Sequence, residues 1–452
     1  MKRYAIATLG CKVNQCESEG IARALAEAGW TRCEPGTPAD LVVVNTCTVT
    51  GRAAMQSRGA ARRAARTHPG ARVVVTGCCV QIETATFAAM PGISAVVGHA
   101  DKHRIPELAE TLPGPGGGKT AAPRTLIRDL TRYRVFEAGR LPASGERTRP
   151  FLKIQDGCDA FCTYCIVPHA RGRSRSMPPG AVLDRIAALA DAGARETVLA
   201  GIHLGRWGHD LDPPLRLADL LRRIDARSRM ERVRLGSVES HELTDDLLDV
   251  LAGSDRFCHH LHLPLQSGDD DVLRRMGRPY RAAEFAERVR TAIRRLPDAA
   301  IGADVLAGFP GEDDAAFAAT RDLIDALPLA YLHVFPFSPR AGTPAATFPD
   351  PVPADAIKER CRSLRELGEA KRRAFHGRFA GRTMSVLVEE TRDRETGLWK
   401  GVSENYLTVL LAGGENLGNR RISVRIDGVD AVPRARGTAL DEFGNPIPRD
   451  PE

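Results

Sequence analysis

RPFLKIQDGCDAFCTYC, residues 149–165, joins a short apolar run to three cysteines spaced C-x3-C-x2-C. The run FLKIQ reads as a strand, Cys158 follows its end, and Cys162 and Cys165 sit in the loop just beyond. Ligands of parallel α/β sheets and barrels gather at the C-terminal ends of the strands, so this loop is a candidate metal site. Three thiolates can hold one face of a 4Fe–4S cube and leave one iron open. No fourth cysteine is close: Cys258 and Cys361 lie about one hundred and two hundred residues further on. Structural zinc wants four ligands, so the spacing suits zinc poorly. An open iron suits a ligand offering an amine and a carboxylate together, as S-adenosylmethionine does. An electron passed through it would break the sulfonium C–S bond and leave a carbon radical, while the protein orients the ligand and excludes competing reactions.

Downstream, ETVLAGI, RVRLGSV, HHLHLPLQ, IGADVLAGF and YLHVFPF are further candidate strands. Helical patterns such as PGAVLDRIAALADAG and AAEFAERVRTAIRRL separate them. Six βα units predict an open, partial barrel over residues 146–376, with a last helix from about Ala354 to Phe375. Upstream, RYAIATLGC, DLVVVNTC, ARVVVTGC and ISAVVG alternate with helical patterns and predict a parallel α/β sheet domain over residues 1–110. Residues 111–145 read as a flexible linker region. Its GGGKT is no phosphate-binding loop, because Pro113 stands where that motif needs glycine. After residue 376 the helices stop. RTMSVLVEE, LWKGVSENYLTVLL and RISVRIDGVD predict a small antiparallel β domain, barrel or sandwich, over residues 377–440, followed by a loose acidic tail, 441–452.

The 452 residues are too many for one ordinary domain. No signal peptide and no 18-residue apolar run occur, which predicts a cytoplasmic protein without a membrane partner. Eleven cysteines in such a compartment point to metal or catalysis rather than to disulfides. The net charge of +7 is mild, but basic residues cluster. Residues 52–66 hold five arginines and no acid; RGRSRS adds Arg171, Arg173 and Arg175; a third run spans Lys371 to Arg382.

A second set of cysteines stands at strand ends. Cys11, Cys47 and one of Cys78 and Cys79 each close an apolar run, so they can converge on one sheet edge and share a cluster. Cys16, Cys33, Cys258 and Cys361 read as packing residues.

CDAFCTYC in a βα barrel resembles the radical S-adenosylmethionine superfamily, and IVPHARGRSRS narrows the resemblance to its methylthiotransferases. The resemblance covers about residues 2–435 and implies two 4Fe–4S clusters and S-adenosylmethionine. Cys158, Cys162 and Cys165 would hold the radical-generating cluster; Cys11, Cys47 and Cys78 would hold the one that binds the sulfur to be inserted. Cys78 is preferred over Cys79 because it follows Gly77 as Cys11 follows Gly10. The C-terminal domain would be an RNA-binding TRAM domain. Partners would be tRNA, an electron donor of flavodoxin or ferredoxin type and a sulfur source. TLGCKVNQCES resembles the subgroup acting on N6-threonylcarbamoyladenosine at tRNA position 37, although Cys16 stands where that subgroup usually has tyrosine. Methylthiotransferases of isopentenyladenosine tRNA or of a ribosomal-protein aspartate are the alternatives, and a non-catalytic Fe–S RNA-binding protein is another.

Gly201 and Gly205 in LAGIHLGRWGHD, Ser237 and Glu239 in RLGSVES, and Gln266 in LHLPLQSG are expected near S-adenosylmethionine. Arg171, Arg173 and Arg175 could meet phosphate or ribose, or form a solvated basic loop; Trp399 and Tyr406 could stack bases, or fill a small core. His259, His260 and His262 are expected as sheet residues.

Overall fold

The computed structural model describes residues 2–34, 36–113, 122–142, 147–413, 417–430, 434–441 and 444–446. The GGGKT segment and most of the acidic tail lie outside these residues.

The N-terminal sheet has six parallel strands in the order Thr31–Arg32, Arg3–Thr8, Leu41–Thr46, Arg72–Gly77, Ala95–Val97, Arg124–Leu126. Its central strands are apolar throughout because both faces are covered. Val42, Val44, Val73 and Val75 pack on alanines of helix Gly51–Thr67. Val43 and Val74 point the other way, onto Ile21 and Leu25 of helix Lys12–Glu27 and onto Ile105 and Leu108. The strand Arg124–Leu126 arises within the expected linker and adds a sixth strand beside Ala95–Val97.

The second unit is the expected open barrel. Strands Arg232–Leu235, Glu196–Ala200 and Phe151–Lys153 form one parallel run; His260–His262, Ala300–Ala307 and Tyr331–Pro336 form the other. The bridges Val233–Phe257 and Ser237–His262 join the two runs. One apolar core takes in both runs and reaches Cys361 and Leu364 of the long helix Ala354–Gly377.

The C-terminal strands close a five-stranded barrel in the order Thr383–Arg392, Trp399–Ser403, Thr408–Ala412, Ala435–Leu440, Arg421–Val429. It is not purely antiparallel: Thr408–Ala412 and Ala435–Leu440 run parallel. Trp399 lies in its core at 7% exposure, so the expectation that it stacks bases is corrected. This barrel also seals the larger one. Its core includes Ala300, Ala330 and Tyr331 of the large barrel. Arg232 donates to the carbonyls of Ser385 and Val402, and Arg234 to those of Ser403 and Glu404. Both guanidiniums share the fully buried Glu196, at 3.0 and 2.8 Å.

Burial opposes ionisation of Glu196, but the two arginines outweigh it and hold its carboxyl near 2. An unfolded glutamate titrates at about 4.3. The stability from this trio is therefore complete above about pH 4.3 and is lost as pH falls towards about 2. Removing one partner of a buried pair costs about 3–5 kcal/mol. Glu196→Gln should accordingly lower stability in urea unfolding at pH 7 by about that amount; a change under about 0.5 kcal/mol, the scale of ordinary surface substitutions, would show that the trio does not hold this interface.

Candidate active site between two cysteine triads

Gly157 sets up the first triad. Its φ is +74°, and a Cβ there would lie 1.9 Å from the Arg173 carbonyl oxygen, so only glycine lets the chain turn from the strand into the cysteine loop. The Cys158 amide donates to Gly172, and the Thr163 amide and hydroxyl donate to the carbonyls of Met276 and Arg275. The loop is thus pinned to the C-terminal end of helix Asp270–Met276. Cys162 is buried, with Cys158 and Cys165 partly so. Burial, reinforced by the neighbouring Cys162 and Cys158, pushes the Cys165 thiol up to about 12. A buried thiol gives up its proton when a cationic iron compensates the charge.

Two side chains not anticipated from the sequence support this triad. Arg278 donates to Cys162 Sγ at 3.3 Å and pairs with Glu239. His203 meets Cys158 Sγ at 3.4 Å through Nδ1 and Glu242 at 3.0 Å through Nε2. Such groups orient thiolates and compensate their charge. The donor set therefore fits a 4Fe–4S cube: three soft ligands in one loop, backed by cations.

The second set repeats one backbone device. Gly10 and Gly77 both have φ near +99°, and each precedes a cysteine. A Cβ on Gly10 would lie 2.8 Å from Cys47 Sγ, and one on Gly77 would lie 2.4 Å from the Thr46 carbonyl oxygen. Cys47 is buried beyond Leu41–Thr46, and its amide and carbonyl are both held by the Ser57 hydroxyl, at 2.9 and 2.8 Å. Cys11 is an electrostatic neighbour of both Cys47 and Cys78. Burial raises the Cys47 thiol and pushes that of Cys78 up to about 11; Cys11 adds to the rise at Cys47, Cys11 and Cys47 add to it at Cys78, and Arg171 opposes it at both. Cys79 faces elsewhere, into an apolar cluster with Val80 and Phe87, with Glu83, Arg58 and Arg340 as its charged neighbours.

Arg171 stands between the triads. The short helix Val167–Arg171 follows Cys165 and leads to a guanidinium at 1% exposure. It donates to Asn14 at 2.6 Å, Asp156 at 2.8 Å and Glu17 at 3.0 Å. Arg175 is also buried and donates to the carbonyls of Arg173 and Arg171. The expectation that Arg171 and Arg175 meet nucleic acid is corrected: charges this deeply buried are consumed by internal partners. Arg173 alone of the three stays at the surface, over the exposed Phe161 ring at 5.2 Å.

The residues expected near S-adenosylmethionine lie around the strand ends, and several already have protein partners. The space left by Gly201 admits Gln155, and that left by Gly205 admits Glu242. Ser237 Oγ lies 2.8 Å from His262 Nδ1, and Glu239 pairs with Arg278. Gln266 adopts φ +66°, and its carbonyl accepts from Leu306. His260 is a sheet residue as expected, bonded to Tyr331 at 2.8 Å and stacked on Tyr406 at 4.1 Å. His262 goes further: with Asp304 and His333 it forms a polar group whose ligand-type atoms all lie within 4.8 Å of one another. Alternation along the strands put these side chains inside the barrel; no motif flagged them as a set.

Comparison with known proteins now decides the family. Residues 3–98 match uncharacterized protein family UPF0004, and residues 152–324 match the radical SAM superfamily. The threonylcarbamoyladenosine tRNA methylthiotransferase MtaB of Bacillus subtilis is 37% identical over 94% of each chain. The chain belongs to the radical S-adenosylmethionine methylthiotransferases. Membership implies a 4Fe–4S cluster and S-adenosylmethionine as cofactors. The tRNA-2-methylthio-N(6)-dimethylallyladenosine synthase of Frankia alni is 36% identical over 93% of this chain and 84% of its own. The radical S-adenosylmethionine methyltransferase TsrM of Kitasatospora setae shares the fold, with TM-score 0.54 at 18% identity over 76% of this chain and 77% of its own. Among the described residues no helix is long and apolar enough to cross a membrane.

The separate surroundings of Cys78 and Cys79 give a test. After anaerobic reconstitution, Cys78→Ala should hold about four fewer irons than the parent, one cube's worth, and Cys79→Ala should hold the full complement. The reverse pattern would mean that Cys79 is the ligand.

Proposed function

We propose that this enzyme adds a methylthio group to carbon 2 of N6-threonylcarbamoyladenosine at position 37 of tRNA. Cys158, Cys162 and Cys165 would hold the cluster that cleaves S-adenosylmethionine; Cys11, Cys47 and Cys78 would hold a second cluster, the site of the sulfur to be inserted. One S-adenosylmethionine supplies a carbon radical on reduction, and a second supplies the methyl group. The chain's own part is to position and to exclude. Arg278 and His203 hold the thiols of Cys162 and Cys158, Arg171 ties the helix after Cys165 to the helix that begins after Cys11, and the small barrel covers the floor of the large one. Gly201, Gly205, Ser237, Glu239 and Gln266 lie where S-adenosylmethionine would be held. The electron would come from a flavodoxin- or ferredoxin-type donor, and the sulfur from a separate source.

The observation that carries the choice of nucleoside is GCKVN at Gly10–Asn14, where the first thiol, Cys11, is followed directly by a cationic side chain. The likeness to MtaB over the full length supports it, while the dimethylallyladenosine synthase of Frankia alni stands almost as near and makes isopentenyladenosine the competing substrate. The modified base must leave the anticodon-loop stack to reach the triads. Phosphate contacts should dominate tRNA affinity, so binding should weaken steeply with salt.

Offered tRNA with threonylcarbamoyladenosine, tRNA with isopentenyladenosine and the ribosomal protein, the reduced enzyme should methylthiolate the first alone, read by nucleoside and peptide mass spectrometry. Turnover of either of the others with none of the first would overturn this assignment. Failure to cleave S-adenosylmethionine at all would favour a non-catalytic RNA-binding protein.

A further inference from the structure

Lys12 begins helix Lys12–Glu27 immediately after Cys11, and its side chain lines a cavity of about 310 Å³ where all three units meet. Arg149 and Arg234 of the large barrel and Glu389 and Tyr406 of the small barrel share that cavity. A second cavity of about 280 Å³ lies beyond Arg149 and Tyr406 and reaches His333.

The other cations around the first cavity have protein partners. Arg149 pairs with Glu389 at 3.0 Å, Arg234 with Glu196 at 2.8 Å, and Arg147 with Glu19. Lys12, among the described residues, makes neither an ion pair nor a hydrogen bond. Its electrostatic neighbours are Tyr406, Arg234, Arg149 and Asp304, and Glu389 and Glu390 line the same cavity. Its side chain is exposed, so the ammonium is open to whatever enters the cavity. An ammonium facing a cavity with no protein partner is free to pair with an anion that enters it.

We propose that Lys12 binds the carboxylate of the threonylcarbamoyl group and so selects the nucleoside. The inference rests on the substrate reading above and adds the recognition element to it. A base whose carbon 2 is to react must come close to the second triad, and Lys12 is one residue from Cys11. The threonyl carboxylate hangs from the base itself through N6, so it is the anion that arrives with the base; backbone phosphates lie across the ribose. An isopentenyl group brings no charge and leaves Lys12 unmatched. Tyr406 completes the subsite. Its φ of +69°, its stack on His260 at 4.1 Å and its place under Arg234 at 5.2 Å hold the phenol on the cavity wall, as a second donor to the same carboxylate.

The test uses reconstituted enzyme and four anticodon stem-loops, carrying threonylcarbamoyladenosine, its methyl ester, isopentenyladenosine or unmodified adenosine. Binding is read by fluorescence anisotropy, and methylthiolation by single turnover. A charge-assisted contact should make the parent enzyme prefer the free acid over its ester by about 10- to 100-fold. Lys12→Met should erase that preference, and Lys12→Arg should keep most of it. Iron content, measured in each variant, separates this effect from damage at Cys11. Absence of an acid–ester preference in the parent enzyme overturns the proposal without any variant. So does an equal loss by Lys12→Met on all four stem-loops, which would make Lys12 a phosphate contact. Turnover of isopentenyladenosine but not threonylcarbamoyladenosine by the parent enzyme would instead sink the substrate reading itself.

Discussion

One guanidinium, buried to 1% exposure, joins the N-terminal sheet domain to the large barrel. Arg171 leaves the helix that follows Cys165 and ends among Asn14, Glu17 and Asp156, so the loop of one triad is fastened to the helix that starts beside the other. Breaking such a buried pair is costly, because the partner left behind stays charged in a dry place. The surroundings are unevenly charged. Glu17 also takes Lys102 and Lys153, and Asp156 also takes Lys153 with Arg175 nearby, which sets four cations against two acids. Burial works against both acids, yet these cations hold them well below the ordinary carboxylate range. The surplus positive charge is turned towards Cys78, which feels both Arg171 and Lys102. A positive neighbourhood favours thiolate over thiol, but burial outweighs it here and the Cys78 thiol stays pushed up to about 11.

Much of this was legible in the residues. The valine runs ending at Cys47 and Cys78 gave a parallel sheet because they lack alternation, and the structure shows why: successive valines serve opposite helix layers. Six βα repeats gave the open barrel. The glycine before Cys11 and Cys78 favoured Cys78 over Cys79, and the two thiols do face different surroundings. What failed had a common cause. Arg171 and Arg175 read by residue type as phosphate or ribose contacts, yet both are interior, while Trp399 fills the small core, the other of the two roles its type allows. Whether an arginine ends in water or beside a buried acid depends on partners such as Glu17, 154 positions away, and no local pattern reports that. The parallel pair in the small barrel was hidden likewise, because strand direction follows from closure of the whole ring. Lys12 stands in the segment that carries the subgroup resemblance, but no local pattern reports that it lines a cavity built from all three units.

The junction of the two barrels bears on how the chain is made. Arg232 and Arg234 enter the large barrel early, but the carbonyls that accept their hydrogen bonds lie 153 to 170 positions downstream. Translation therefore completes both cysteine triads and all six strands of the large barrel before it reaches the residues that cover the barrel's floor. The contacts that close the floor are among the last that the growing chain can make.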